Sequence, residues 1–192
     1  TTRLGVPWLH IPGNHDMDME AGSDAQSLTT FQRELGPDTF AWEEPQAVFI
    51  GLDNIIARPG QRPAYIGGLR DDQFAWLAQY LATLDDQRLV ILGMHMPLFD
   101  PNFRAADRQK LFDLLARFPK RLVLSGHTHT QEHRYWTAAE GWQGEGRLHE
   151  YNVGAACGAF WSGVKDAAGI PAATMADGTP NGYGLLHVDG QG

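Results

Sequence analysis

Apolar residues along this chain fall into short runs that switch between two periods. Residues 4–11 ("LGVPWLHI") read as a strand running into a turn at Gly13. Ser23 or Asp24 caps a helix that the pattern carries to Leu35, and residues 39–42 and 47–53 ("AVFIGLD") follow as β-rich runs. From Asp71 the spacing turns helical, with Phe74, Leu77, Leu81 and Leu84 three or four residues apart and Asp71 and Asp72 well placed near the positive end of the helix dipole. Residues 88–94 ("RLVILGM") form a continuous apolar run, as expected of a strand covered on both faces. A second helix over residues 107–118 places Leu111, Leu114, Leu115 and Phe118 on one stripe, and Pro119 stops it before the strand at 121–125. Shorter strands are predicted at 132–137, 148–153 and 183–188, joined by Gly-rich loops.

Strands alternating with helices predict an α/β domain. A chain of 192 residues is long enough for one domain, taken here as residues 1–192, or for the C-terminal part of one. Its hydrophobic share of 43% and charged share of 20% argue for a folded rather than a disordered chain. The formal net charge of -8 argues against a broad grip on nucleic-acid backbone, so phosphate contact calls for a mediating cation. Cys157 is alone, which rules out an internal disulfide, and with no basic residue beside it in sequence it reads as a small buried side chain. No stretch approaches the roughly 18 apolar residues of a membrane helix. The chain starts abruptly with a strand-like run and no initiator Met, which predicts that the first strands of the domain are missing. Residues 154–184, low in charge and rich in Gly, Ala and Pro, form a long loop of the kind that is functional or disordered.

Polar residues collect where the apolar runs stop. His15, His95, His127 and His129 each lie at or just past the end of such a run, and open α/β sheets bind ligands beyond the carboxyl ends of their strands. Any one of them alone fits a hydrogen-bonded core or surface histidine equally well. Asn14, His95, His127 and His129 supply imidazole nitrogen and amide oxygen, the donor mixture that a hard or borderline divalent cation takes without thiolate. His127 and His129 are two residues apart, so on an extended segment both rings face one side.

The ordered trio GNHD (Gly13 to Asp16), GMH (Gly93 to His95) and GHTH (Gly126 to His129) resembles the calcineurin-like metallophosphoesterases, whose signature is that series with each piece following a strand. "GNHDMDM", "NVGAACGAFWSG" and "DGTPNGYG" further resemble a bacterial subgroup whose catalytic domain is flanked by accessory β-domains. The resemblance implies a four-layer sandwich of two mixed β-sheets flanked by helices, and hydrolysis of a phosphate ester, on a small molecule or a phosphorylated partner, by attack of a metal-bound hydroxide. It assigns Asn14, His95 and His127 to one metal and His129 to the other. His15 stands near the phosphate as acid or charge stabiliser, and Asp16 orients His15. The cations would be Mn, Fe, Zn or Ni, two in the complete family site, and a pair of them lowers the pKa of a bridging water while neutralising phosphoryl charge. A periplasmic or secreted location agrees with the subgroup.

The family also carries Asp-x-His and Gly-Asp motifs upstream of GNHD, which supply the remaining ligands. Neither occurs in this sequence, so one metal or none is also compatible with it, and a second reading is a non-catalytic fragment or scaffold with an incomplete site. Asp53 in "GLD" falls after GNHD and reads as a strand-end turn. "HTHTQEH", ending at His133, resembles the HxHxDH run of metallo-β-lactamase-like hydrolases but lacks its Asp. Phe160 and Trp161 read as core or as pocket lining; His10 and His187 read as strand residues; and His149, Asn152 and Asn181 lie in loops that the subgroup would place near the site.

Overall fold

The computed structural model describes residues 5–159 and 163–189. Phe160 and Trp161 lie outside the described residues. The chain builds α1 (Thr29–Leu35), β1 (Thr39–Glu43), β2 (Ala47–Leu52), β3 (Ile55–Ala57), β4 (Tyr65–Gly67), α2 (Asp71–Ala82), β5 (Leu89–Gly93), α3 (Ala105–Leu115), β6 (Arg121–Ser125), β7 (Glu132–Trp136) and β8 (Leu148–Asn152). Six strands form one mixed sheet in the order β1-β2-β5-β6-β8-β7, and β3 and β4 form a second, two-stranded sheet. The α/β class with two sheets and flanking helices is therefore the architecture of this protein.

Strands β2, β5, β6 and β8 run parallel, while the edge strands β1 and β7 are antiparallel to their neighbours. The pairing register puts Val48, Ile50, Leu52, Val90, Leu92 and Val123 on one face, and all of these are buried. Leu77 and Leu81 of α2 and Leu111, Phe112 and Leu115 of α3 join the same buried cluster, as the 3.6-residue spacing of those helices requires. The opposite face carries Leu122, Leu124, His149 and Tyr151, which are half-buried, whereas Ile91 in the middle of β5 is buried as its apolar run implies.

Three buried acids, Glu150, Asp53 and Asp38, brace this frame. Glu150 of β8 is fully buried and accepts hydrogen bonds from Leu98 N–H (2.8 Å), Ser125 Oγ (3.0 Å) and Trp136 Nε1 (2.9 Å), which ties the loop after β5 to β6 and β7. Arg70, preceding α2, bonds Asp53 through Nη1 and Asp38 through Nη2, each at 2.8 Å. Asp53 is thus a strand-end turn residue.

Several local expectations give way to tertiary constraints. Residues 5–11 form no strand: Val6, Trp8 and Leu9 are exposed, and their backbone finds no ladder partner among the described residues. Residues 183–188 are irregular for the same reason, with Tyr183 and Leu185 85% and 78% exposed, so neither His10 nor His187 is a strand residue. The single helix expected from Ser23 to Leu35 is a 3-10 turn at Asp24–Gln26 followed by α1. The break falls at Ser27 and Leu28, where Ser27 O accepts from Asp18 N–H (2.6 Å) and Asp18 Oδ2 accepts from Thr30 N–H (3.0 Å). The β3–β4 pair has too few residues per strand to show a period in sequence.

Burial pushes the Asp53 carboxyl up to about 7 although Arg70 pulls the other way. A carboxyl at that value in the folded protein, and at its ordinary 3.8 when unfolded, binds more protons folded than unfolded between the two, so its contribution to stability is full below 3.8 and is lost as pH rises through about 7. Replacing Arg70 by Met removes the counter-charge and is expected to cost on the order of 3 kcal/mol. Urea unfolding at acid and at mildly alkaline pH checks this, and the loss is expected to be larger on the alkaline side.

Candidate metal centre

The four parallel strands end at one edge of the sheet, and each delivers a polar residue there. Asn54 follows β2, His95 follows β5, His127 follows β6 and Asn152 closes β8. Asn54 is fully buried and clamps the loop that carries His95: its Oδ1 accepts from His95 N–H (3.2 Å) and Met96 N–H (3.0 Å), and its Nδ2 donates to Met96 O (2.7 Å). Gly126 N–H donates to His95 O at 2.9 Å, which joins the ends of β5 and β6.

The GHTH segment is not extended. His127 and His129 both adopt the left-handed region, at φ 71° and 54°, a conformation unusual for side-chain-bearing residues and found where the surroundings impose it. Here Asn152 imposes it, since its buried Nδ2 donates to Thr128 Oγ1 (2.7 Å) and Thr130 O (2.8 Å). Further support comes from the segment after β8, where Ala176 N–H donates to His129 O (2.7 Å) and Ala159 O lies 2.7 Å from His129 Nδ1. The long loop predicted over 154–184 thus packs against this turn.

GNHD forms a tight turn in which Asp16 N–H donates to Gly13 O (3.0 Å) and Asp16 Oδ2 accepts from Gly13 N–H (2.8 Å). The Asp16 carboxylate closes this turn, and among the described residues no hydrogen bond joins it to His15. A Cβ on Gly13 would lie 2.8 Å from His95 Nδ1, so only glycine lets this turn press on the His95 ring.

These contacts bring three donor atoms together. His95 Nε2 is 2.8 Å from Asn14 Oδ1 and 3.0 Å from His127 Nδ1, and His127 Nδ1 is 3.2 Å from Asn14 Oδ1. A single proton can bridge part of this triangle, but some edge then sets lone pair against lone pair. A divalent cation held by these three atoms would accept all three lone pairs at once, which no single proton can do. Among the described residues no three His, Cys, Asp or Glu side chains gather as a metal cluster. The gathered set is two imidazoles and an amide, and that donor chemistry fits a borderline divalent cation.

The electrostatics agree with neutral ligands. Burial, reinforced by His127, His15 and His129, holds His95 down at about 4, and burial lowers His127 as well despite Asp100. The Asp100 carboxylate lies 4.0 Å from His127 Nε2, which favours a proton on that nitrogen and a lone pair on Nδ1. Tyr65 of β4 meets the His127 ring edge-on, at 6.0 Å between centroids. Burial and Asp100 raise its phenol above the ordinary value.

An open cavity of about 310 Å³ is lined by Asn14, His15, Tyr65, His95, His127 and His129 among others. The structure therefore brings Asn14, His95 and His127 into contact and sets His15, which is exposed, and His129 on the same cavity wall. Elsewhere, His149 and His133 pair with each other at 2.8 Å on the outer sheet face, and Asn181 donates to Ala156 O. Sequence reasoning missed Asn54, Asp100 and Tyr65 and gave Asn152 no role. The rule that polar residues past strand ends build the site points to Asn54 and Asn152, but Asp100 and Tyr65 carry no local signal.

Residues 1–131 match the family model described as calcineurin-like phosphoesterase, and residues 150–192 match that described as the C terminal of calcineurin-like phosphoesterase. This chain belongs to the calcineurin-like phosphoesterases, a family generally associated with metal-dependent phosphoester hydrolysis. No curated protein matches it. Among the described residues no helix is long and apolar enough to cross a membrane.

Because Asn54 acts on His95 through the backbone, Asn54→Ala is expected to weaken divalent-metal affinity about 10- to 100-fold, as losses of such supporting groups do. Manganese titration of the folded variant, with circular dichroism as the control on its fold, checks this.

Proposed function

We propose that residues 1–192 act as one catalytic unit that hydrolyses a phosphate ester, with Asn14, His95 and His127 holding one divalent cation and His129 contributing to a second. The observation that supports this most directly is the triangle of Asn14 Oδ1, His95 Nε2 and His127 Nδ1, with sides of 2.8, 3.0 and 3.2 Å. A cation bound there supplies positive charge to the phosphoryl oxygens and acidity to a coordinated water.

The remaining work falls to the protein. Asn14 supplies one corner of the donor triangle and Gly13 allows the GNHD turn its close approach to His95. His15 stands beside Asn14 on the cavity wall without a hydrogen-bond partner among the described residues, which leaves its ring available to donate a proton to the departing alkoxide. Asp16 keeps the turn closed through Gly13 N–H and so sets the height of His15 above the cavity. Asp100 and Tyr65 hold the His127 ring. With His95 held at about 4, its ligand nitrogen stays deprotonated well into the acid range, so cation binding is expected to survive mild acidification.

Two substitutions separate the roles. His127→Ala is expected to lose both the metal and turnover, whereas His15→Ala keeps the metal and loses about 10²- to 10⁴-fold in kcat. Elemental analysis after manganese loading and dialysis, followed by assay on bis(p-nitrophenyl) phosphate and p-nitrophenyl phosphate, checks both. Equal tolerance of the two substitutions would favour a scaffold.

A further inference from the structure

The β3–β4 hairpin places one aromatic residue at the metal centre. Tyr65 sits edge-on to His127, with 81° between the ring planes, and is half-buried on the cavity wall beside Asn14, His15 and His95. Its position is fixed by the loop that follows His95. Gly67 N–H donates to Asn102 O (3.1 Å), Arg104 N–H donates to Gly67 O (2.8 Å), and Gly67 bridges Phe103 in parallel register. The same loop carries Asp100, so backbone hydrogen bonds tie the Tyr65 hairpin to the segment that holds His95 and Asp100.

The Tyr65 ring has an evident packing role against His127, and a phenylalanine would fill it equally well. The hydroxyl is what packing does not explain. Among the described residues it makes no hydrogen bond, although half-buried tyrosine hydroxyls usually find a partner. The anionic oxygens of a phosphoryl group accept hydrogen bonds, and a neutral phenol on the wall of the same cavity offers them a donor without adding charge.

We propose that the Tyr65 hydroxyl is a substrate-contact group, donating a hydrogen bond to a non-bridging oxygen of the phosphoryl group seated over Asn14, His95 and His127. This rests on the phosphoesterase reading of the site. The β3–β4 hairpin then serves as the substrate-side wall of the cavity, and its tyrosine sets how tightly the phosphoryl group is held.

The test uses the manganese-loaded full chain, with Tyr65→Phe and Tyr65→Leu, titrated with inorganic phosphate by calorimetry as the minimal tetrahedral probe. Manganese content and thermal unfolding are measured on the same samples. Tyr65→Phe is expected to keep its manganese and its melting temperature and to bind phosphate about tenfold more weakly or worse, as loss of a hydrogen bond to a charged group requires. KM for bis(p-nitrophenyl) phosphate should rise with it. Phosphate affinity unchanged in Tyr65→Phe but reduced in Tyr65→Leu would make Tyr65 a packing residue and overturn the proposal. Loss of manganese in Tyr65→Phe would overturn it too, in favour of a role in positioning His127. Failure of the unsubstituted chain to take up manganese would instead remove the reading of the site, a result distinguishable because it involves no Tyr65 variant.

Discussion

The Asn54 side chain is the joint on which the candidate site depends. It is fully buried at the end of β2, and its amide spends both ends on the backbone of residues 95 and 96. A strand end is otherwise free to fray, because backbone groups past the last ladder pair have no assigned partners. Asn54 supplies those partners at the residue where His95 must be held. An aspartate in its place would accept but could not donate to Met96 O, and a leucine would strand three backbone groups in a dry environment.

Two further braces extend the same logic across the sheet. Glu150 gathers donors from the loop after β5, from β6 and from β7, and Asn152 two residues later holds the GHTH turn in its left-handed conformation. Burial raises the Glu150 carboxyl, which its three donors only partly offset, so β8 carries an electrostatic cost in its interior. That cost is local and its benefit is not, since the braces fix the relative height of His95, Asp100 and His127. The preorganisation matters because one proton can satisfy only part of the triangle, so that one pair of lone pairs stays opposed without a cation, and a stiff surround keeps the three atoms in place.

The two faces of the large sheet play different parts. One is packed by α2 and α3 into a dry core. On the other, Tyr151 stacks on His133 at 4.3 Å and Tyr135 on His149 at 4.6 Å, an aromatic ladder along β7 and β8 remote from the donor triangle. HTHTQEH therefore divides between two surfaces: His127 and His129 turn to the cavity, and His133, on the outer face of β7, pairs with His149.

The sequence by itself determined the elements with a clear period and the residues that punctuate them. The apolar stripes of α2 and α3 and the runs of β2, β5 and β6 follow from burial of one face or of both, which is a local pattern. GMH and GHTH were legible because each stands directly after such a run, where topology leaves polar groups facing one edge, whereas GNHD follows residues 5–11, which form no strand. Tertiary structure alone decided which runs became strands: residues 5–11 and 183–188 have the composition of strands and find no ladder partner among the described residues. It also decided the split of the helix at Ser27 and Leu28, and the arrival of Tyr65 and Asp100 at His127. Each of these depends on contacts between residues distant in sequence, and no local periodicity encodes a contact of that kind.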